Sequence, residues 1–131
     1  MKYWVEPHAT EAPSEQLARQ IRFAIANEQL RFGDRVPSVR ALAAEALVNP
    51  NTVAKAYRQL EWEKIVESKP GDGIFVTSGA FEICKQWRDG RISSELRRAL
   101  NEARLAGIDA TKLSSWIQQL LKEPQGAGHE K

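Results

Sequence analysis

Residues 48–60 read VNPNTVAKAYRQL, and this stretch decides the fold. Its apolar residues recur at i, i+3, i+4 and i+7, the spacing that places side chains on one face of an α-helix: Val53, Ala56, Tyr57 and Leu60. Asn49 carries a side-chain oxygen that can cap such a helix. Pro50 suits the first helical position, where its missing N–H would have no partner. We therefore predict a helix that begins at Pro50 and buries one face.

The opposite face of this helix is polar and basic. It carries Asn51, Lys55 and Arg58, flanked by Thr52 and Gln59. Amides, a hydroxyl and cations read base edges in the major groove of DNA and bind the phosphates beside it. The helix N-terminus adds free N–H groups and a partial positive charge. An ordinary solvated helix surface has the same composition, so both interpretations stay open on these residues alone.

Two helices are predicted before this one. The first runs from Ser14 to about Leu30, and its apolar face holds Leu17, Ile21, Ala24 and Ile25. Gly33 and Asp34 form the turn that follows. The second helix opens at Pro37, with Ser38 as its N-cap, and its apolar face holds Val39, Leu42, Ala43 and Ala46.

A β-hairpin is predicted after the third helix. Two short β-prone runs, residues 65–68 and 74–77, flank the turn residues Gly71, Asp72 and Gly73. Two short helices joined by a tight turn, a helix before them and a hairpin after them make a winged helix-turn-helix. The fold class is therefore mainly α with a small β-hairpin.

The C-terminal part has a different pattern. Residues 80–106 are helical in spacing, with Gly90 as a kink or interruption, and a last helix starts at Asp109 or Thr111. The apolar faces are too large for a two-helix hairpin to bury, so they must pack on the winged domain or on a second copy of the chain, and we expect the second copy. The expected dimerisation residues are Phe81, Cys84, Trp87, Leu96, Leu100, Leu113, Trp116, Ile117 and Leu120.

These patterns divide the 131 residues into four parts. They are an N-terminal arm (1–11), a winged helix-turn-helix domain (12–79), a helical dimerisation segment (80–122) and a flexible tail (123–131). With 42% hydrophobic and 27% charged residues, the composition is typical of a globular protein. No apolar run has the length of a membrane span, and the single Cys84 cannot form an intramolecular disulfide, so we expect a cytosolic protein.

The sequence gives little sign of catalysis or of a bound cofactor. His8 and His129 lie in the arm and the tail, with no second histidine at ligand spacing, so we predict no metal site. Cys84 is expected to be buried, and no phosphate-binding loop or hydrolase motif is present. The net charge of +2 is mild, but residues 35–60 carry four basic side chains against the single acid Glu45.

Three sequence blocks resemble the DNA-binding domain of the GntR family of bacterial transcription regulators. They are GDRVPSVRALA (33–43), VNPNTVAKAYRQLE (48–61) and GDGIFV (71–76), and they occur in the family's order and spacing. VNPNTVAKAY and the short C-terminal extension resemble the YtrA subfamily in particular. The resemblance covers about half of the chain.

The resemblance implies a set of DNA-binding residues. It places Arg40 on the second helix near a DNA base or phosphate. The turn before that helix lies near the DNA backbone, and the wing tip lies near the adjacent minor groove. The full set is Arg35, Ser38, Arg40, Asn49, Asn51, Thr52, Lys55, Arg58, Lys69, Gly71 and Asp72. For Arg58 a purely solvated role stays open.

Three positions depart from the family pattern. Leu47 stands where a glycine usually precedes the third helix, and Lys64 stands where a glycine usually follows it. If the backbone keeps a positive φ there, each replacement costs on the order of 1 kcal/mol. Trp62 stands where alanine is usual, and we expect it to pack in the core or against the wing.

The resulting hypothesis is a homodimeric, sequence-specific repressor that binds a double-stranded, palindromic DNA operator. The YtrA resemblance further implies control of transporter genes. An effector pocket between the C-terminal helices stays open, but about 50 residues leave little room for a large effector domain. The alternative is a winged-helix module that binds another protein through the polar face. A small enzyme is disfavoured, because no paired acid/base or nucleophile residues are found.

Overall fold

The computed structural model describes residues 2–124, and it contains seven helices and strands in that range. In chain order they are α1 (Pro13–Ala26), α2 (Val39–Ala46), α3 (Pro50–Trp62), β1 (Val66–Lys69), β2 (Gly73–Val76), α4 (Ala80–Leu105) and α5 (Ala110–Leu121). The strands pair antiparallel, with Val66 opposite Val76 and Lys69 opposite Gly73. The predicted fold class, mainly α with one hairpin, is confirmed.

The core of the winged unit lies where α3 meets α1, α2 and β1. The predicted apolar face of α3 is buried along its whole length, from Val53 to Leu60. Its neighbours in the core include Leu17, Ile21, Ile25, Leu42, Ile65 and Val76, all of them buried. The burial of these aliphatic side chains is the main favourable contribution to folding of the unit.

Side chains cap α2 and α3 at the predicted positions. The backbone N–H of Ala41 donates to Ser38 Oγ at 3.1 Å, and the N–H of Asn51 donates to Asn49 Oδ1 at 2.7 Å. Pro50 is the first residue of α3. Each cap satisfies an N–H that has no partner inside its helix, so the caps fix where both helices begin.

The two positions that usually hold glycine keep the left-handed backbone in this chain. Leu47 has φ 59° and ψ 49° at the end of α2, and Lys64 has φ 65° after α3. The Val48 N–H donates to the Ala43 carbonyl at 3.1 Å, which closes α2 in the way a C-terminal glycine would. The turns therefore keep their geometry and carry the strain of a Cβ at positive φ.

The N-terminal residues are part of the winged unit, and their description as a separate arm is wrong. Tyr3 is buried in the core, and its N–H donates to Glu45 Oε2 at 2.6 Å. Gln20 Nε2 donates to the Trp4 carbonyl at 2.7 Å, which ties the segment to α1. Burial raises the pKa of Tyr3 to about 12, so its phenol stays protonated at neutral pH.

The chain divides into two compact units between Gly90 and Arg91. The first unit therefore extends past the predicted boundary at residue 79. The early turns of α4 belong to it, because Ala80 and Cys84 are buried in its core. Helix α4 continues through Gly90 to Leu105, so this glycine does not end the helix.

The second unit contains the remainder of α4 and the amphipathic helix α5. The Lys112 N–H donates to Asp109 Oδ1 at 2.8 Å, so Asp109, and not Thr111, caps α5. Gly107 precedes this cap with φ 83°. No residue of α5 is buried within the part of the chain that the structure describes. None of the helices in residues 2–124 is long and apolar enough to cross a membrane.

Candidate nucleic-acid interface

The outer face of α3 presents the predicted polar residues to solvent. Asn51, Lys55 and Arg58 are exposed, and Thr52 is half-buried. Lys55 and Arg58 have no acidic partner among residues 2–124. Both cations are therefore available to a phosphate, and Asn51 offers an amide beside the helix N-terminus.

Two residues predicted to bind DNA also have a structural role. Ser38 and Asn49 each use a side-chain oxygen to accept the cap hydrogen bond described above. What they can still donate to DNA is the Ser38 hydroxyl proton and the Asn49 amide N–H groups. Arg40, two residues after Ser38, is exposed at the start of α2.

A hydrogen bond connects α3 to the turn before α2. The Tyr57 hydroxyl donates to the Pro37 carbonyl, and the Tyr57 ring is buried. Burial is also the main cause that raises the pKa of Tyr57 above its ordinary value, so it stays protonated and able to donate. The sequence identified Tyr57 only as a core residue. A tyrosine on a buried face needs a partner for its hydroxyl, and that was the available signal.

Arg35 connects the same turn to the wing. Residues 34–36 pair with β2: Arg35 forms a bridge with Phe75, and the Val36 N–H donates to the Ile74 carbonyl at 2.9 Å. The Arg35 guanidinium crosses Gly73 so closely that a Cβ added there would lie 2.6 Å from Arg35 Nε. Gly73 therefore provides the space that positions Arg35, a role that the sequence did not indicate.

The wing tip is a tight turn from Lys69 to Asp72. The Asp72 N–H donates to the Lys69 carbonyl at 2.8 Å, and Gly71 has φ 81°, as in a type II turn with Pro70 at its second position. The Lys69 ammonium lies 5.0 Å from the centre of the Phe75 ring. This contact holds one cation of the wing in place without neutralising it.

The C-terminal end of α3 holds two features that the sequence analysis missed or misjudged. Arg22, only 5% exposed on α1, donates to both carboxylate oxygens of Glu63 at 2.9 Å. Its guanidinium also lies 5.0 Å from the centre of the Trp87 ring on α4. Trp62, by contrast, is 81% exposed, so the expected core packing of this residue is wrong.

The predicted dimerisation residues fall into two groups. Cys84 is buried in the core of its own chain, and Trp87 packs on Phe23 of α1 with ring centres 5.1 Å apart. The assignment of Cys84 to an interface is wrong, because it has no surface to offer a partner. Trp87 is half-buried and already contacts α1, and its place in an interface stays a prediction. The other residues keep surface to offer: Phe81, Leu96, Trp116, Ile117 and Leu120 are exposed, and Leu100 and Leu113 are half-buried.

Histidine, cysteine and the acidic residues are the side chains that could hold a metal ion. Among residues 2–124, no three His, Cys, Asp or Glu side chains lie together as metal ligands would, and His129 lies outside the described residues. Burial raises the pKa of the Cys84 thiol to about 11, so it remains a thiol at neutral pH and is a poor nucleophile.

Comparisons with known proteins agree with this geometry. Residues 13–76 match the family described as bacterial regulatory proteins, gntR family. The HTH-type transcriptional repressor YtrA of Bacillus subtilis is 31% identical over 122 residues, which cover 93% of this chain and 94% of that protein.

Solved structures of similar proteins share the fold. A transcriptional regulator from Oenococcus oeni has a TM-score of 0.70 and 31% identity, and the match covers 86% of this chain and 94% of that one. YtrA from Sulfolobus acidocaldarius, a GntR-family transcription factor, has a TM-score of 0.58 and 30% identity, with coverage of 77% and 99%.

Proposed function

The chain belongs to the GntR family of bacterial regulatory proteins, and from this premise we propose that it represses transcription as a homodimer on a palindromic operator. Membership of the family makes it a helix-turn-helix regulator that binds DNA, and not an enzyme. Three statements go beyond family membership and are proposed here: the protein acts as a repressor, its operator is palindromic, and it binds as a homodimer.

The observation that carries the proposal is the division of α3 into two faces. The face from Val53 to Leu60 is buried and holds the fold together. The opposite face, with Asn51, Lys55 and Arg58, takes no part in the core and is exposed. The side-chain cap at Asn49 fixes the start of the helix, so these groups are presented to a major groove from a rigid element.

The positive groups of the winged unit support a phosphate-binding frame around α3. The contact between Tyr57 and Pro37 connects α3 to the turn before α2, and Arg35 connects that turn to the wing at Gly73. The groups proposed to bind phosphates are thus connected by direct contacts to the helix proposed to read bases. Contacts to phosphates fix the register of a protein on a duplex.

The second unit supports the homodimer. Helix α5 is amphipathic, but Trp116, Ile117, Leu120 and Leu121 are all between 43% and 79% exposed. On α4 beyond Arg91, Ile92 and Leu96 are exposed as well. A second copy that covers these side chains would give a two-fold assembly, which matches a palindromic operator with two half-sites.

The proposed repressor role has support from the relatives. The Bacillus subtilis YtrA protein, which this chain matches over nearly its full length, is by name a transcriptional repressor. A dimer on a promoter represses by occluding it. Control of transporter genes remains a prediction from the family resemblance, and a cytoplasmic location follows because the DNA target lies there.

Selection of binding sequences from random duplex DNA tests the proposal. The full-length chain is expected to enrich one palindrome, since a two-fold dimer presents two identical α3 helices. Binding should weaken steeply with salt, by about 0.9 in log K per tenfold salt for each phosphate neutralised. No enrichment, or salt-independent binding, would favour the alternative of a protein-binding module.

A further inference from the structure

Trp62, the last residue of α3, is 81% exposed. Tryptophan offers the largest apolar surface of any side chain, and its indole N–H is also a hydrogen-bond donor. Leaving this ring in water forfeits the free energy that its burial would provide. Tryptophan is enriched at interfaces, because its ring is apolar while its N–H can bond to a polar partner.

The position of Trp62 on α3 relates it to the DNA-facing residues. A helix turns by about 100° per residue, so Trp62 lies only about 20° around the axis from Asn51. Lys55 and Arg58 fall within the same narrow stripe, directly opposite the buried face. Trp62 thus continues that stripe, about 16 Å along the axis from Asn51.

The charges around Trp62 favour a polyanion as its partner. A shallow cleft beside the ring is lined by Arg58, Glu61 and Lys64. Arg58 and Lys64 have no acidic partner among residues 2–124, whereas Glu61 accepts a weak hydrogen bond from the Ser68 N–H at 3.4 Å. The other acid nearby, Glu63, is neutralised by Arg22. The cleft beside the indole therefore carries two unpaired cations against the single carboxylate of Glu61.

We propose that Trp62 contacts the sugar–phosphate backbone of DNA at the edge of the major groove that α3 enters. This inference rests on the proposed DNA-binding function of the outer face of α3. The N-terminal end of α3 reaches the base edges, so a residue about 16 Å along the helix meets the wall of the groove. There the indole N–H donates to a phosphate oxygen, the ring covers deoxyribose carbons, and Arg58 and Lys64 neutralise flanking phosphates.

The substitution Trp62→Ala in the full-length chain tests this contact. Its loss should weaken binding about tenfold on the selected operator and on unrelated duplex alike, because a backbone contact carries no sequence information. The dependence of log K on log salt should stay that of the wild type, since no charge is removed. Trp4→Ala, which removes an indole that is 48% exposed on the N-terminal segment, is the matched control and should bind as the wild type does.

A fluorescence measurement distinguishes DNA from other occupants. The emission that Trp62→Ala removes should be quenched by acrylamide in the free protein and protected in the DNA complex. Wild-type affinity of Trp62→Ala for both duplexes, with this emission still quenchable in the complex, would overturn the proposal. If Trp62→Ala keeps wild-type DNA affinity but loses repression in cells, the ring contacts a protein partner, and the proposed DNA contact is likewise wrong.

The same titrations separate failure of this inference from failure of the proposed function. If the wild type binds no duplex, the DNA-binding account itself fails. If the wild type binds and Trp62→Ala binds both duplexes equally tightly, DNA binding by α3 stands and the proposed contact of Trp62 with the DNA backbone is wrong. Because Trp62 is exposed, the variant is expected to keep the wild-type circular dichroism and melting temperature.

Discussion

At the scale of single residues, the left-handed backbone at Leu47 is a place where the chain is strained. Its side chain is 89% exposed, so removing it sacrifices almost no burial. Leu47→Gly should therefore stabilise the fold by about 0.5–1 kcal/mol, the relief of positive-φ strain less the added entropy of glycine in the unfolded chain. Urea unfolding at one fixed protein concentration measures this change.

Leu47→Ala is the control for that prediction. Alanine keeps the Cβ that clashes at φ 59°, so its stability should remain near that of the wild type. Equal stabilisation by alanine and glycine would show that the leucine side chain, and not the backbone conformation, is the source of the cost.

Gly73 is the second residue where backbone geometry has a functional consequence. A Cβ at this position would lie 2.6 Å from Arg35 Nε, so Gly73→Ala should displace Arg35 and weaken operator binding by about 1 kcal/mol. Affinities of Gly73→Ala, Arg35→Ala and the double variant form the cycle to measure, and the double variant should lose little more than Arg35→Ala alone.

Gly33→Ala provides the matched control, because Gly33, like Gly73 (φ 129°), has a positive φ (88°), but nothing lies within 4 Å of the added Cβ. It should bind the operator as the wild type does. Fully additive losses from Gly73→Ala and Arg35→Ala would contradict the role of Gly73 as the spacer that positions Arg35.

At the scale of elements, the contact among Arg22, Glu63 and Trp87 joins α1, the end of α3 and α4. The Arg22 side chain is 7% exposed and that of Glu63 is 29% exposed, so this pair is largely removed from water. Glu63→Gln leaves the guanidinium without its counter-charge and should destabilise the fold by about 2–3 kcal/mol in chemical unfolding.

An exposed ion pair on α4 serves as the comparison. Arg98 and Glu95 pair at 2.8 Å with side chains that are 80% and 52% exposed. Glu95→Gln should change stability by less than about 0.5 kcal/mol. If Glu63→Gln has an equally small effect, the buried pair does not hold the three helices together.

The helices of the winged unit were predictable because their signals are local. The caps at Ser38 and Asn49 and the apolar spacing in α3 depend on residues within one or two turns of each other. The burial of Tyr3 against α2 and of Cys84 in the core depends on contacts far apart in the chain, which no periodicity reports.

The candidate site was likewise predictable where its signals are local and not where they depend on distant contacts. The family resemblance selected the exposed polar residues of α3, which the structure places on one outer face. Exposure of Trp62 was available from the sequence, because helical spacing places it on the same side of α3 as Asn51; the expectation of core packing followed the residue type and not its position on the helix. The space that Gly73 leaves for Arg35 requires the pairing of residues 34–36 with β2, which links distant segments.

At the scale of the whole molecule, the exposed apolar face of α5 is the proposed contact between two copies. Ile117→Asp in the full-length chain should shift the protein from dimer to monomer in sedimentation velocity, since a buried carboxylate without a partner is costly. Ser115→Asp adds the same charge on the opposite side of α5 and should remain dimeric. A dimer that survives Ile117→Asp would place the interface elsewhere.

Monomeric Ile117→Asp should also bind the palindrome more weakly, because each copy then engages one half-site without the other. The affinity of Ile117→Asp for a single half-site should equal that of the wild-type protein, because the substitution leaves the winged unit unchanged. This connects the assembly of the second unit to the function of the first.

In the proposed complex, the outer face of α3 contacts the phosphates and bases of a duplex. The decisive measurement is the salt dependence of operator binding by Lys55→Ala, with Lys122→Ala as a control for general charge loss. Lys55→Ala should bind more weakly at every salt concentration, and its slope of log K against log salt should be smaller by about 1, while Lys122→Ala keeps the wild-type slope. Wild-type affinity and slope in a folded Lys55→Ala protein would contradict the assignment of α3 as the DNA-binding helix.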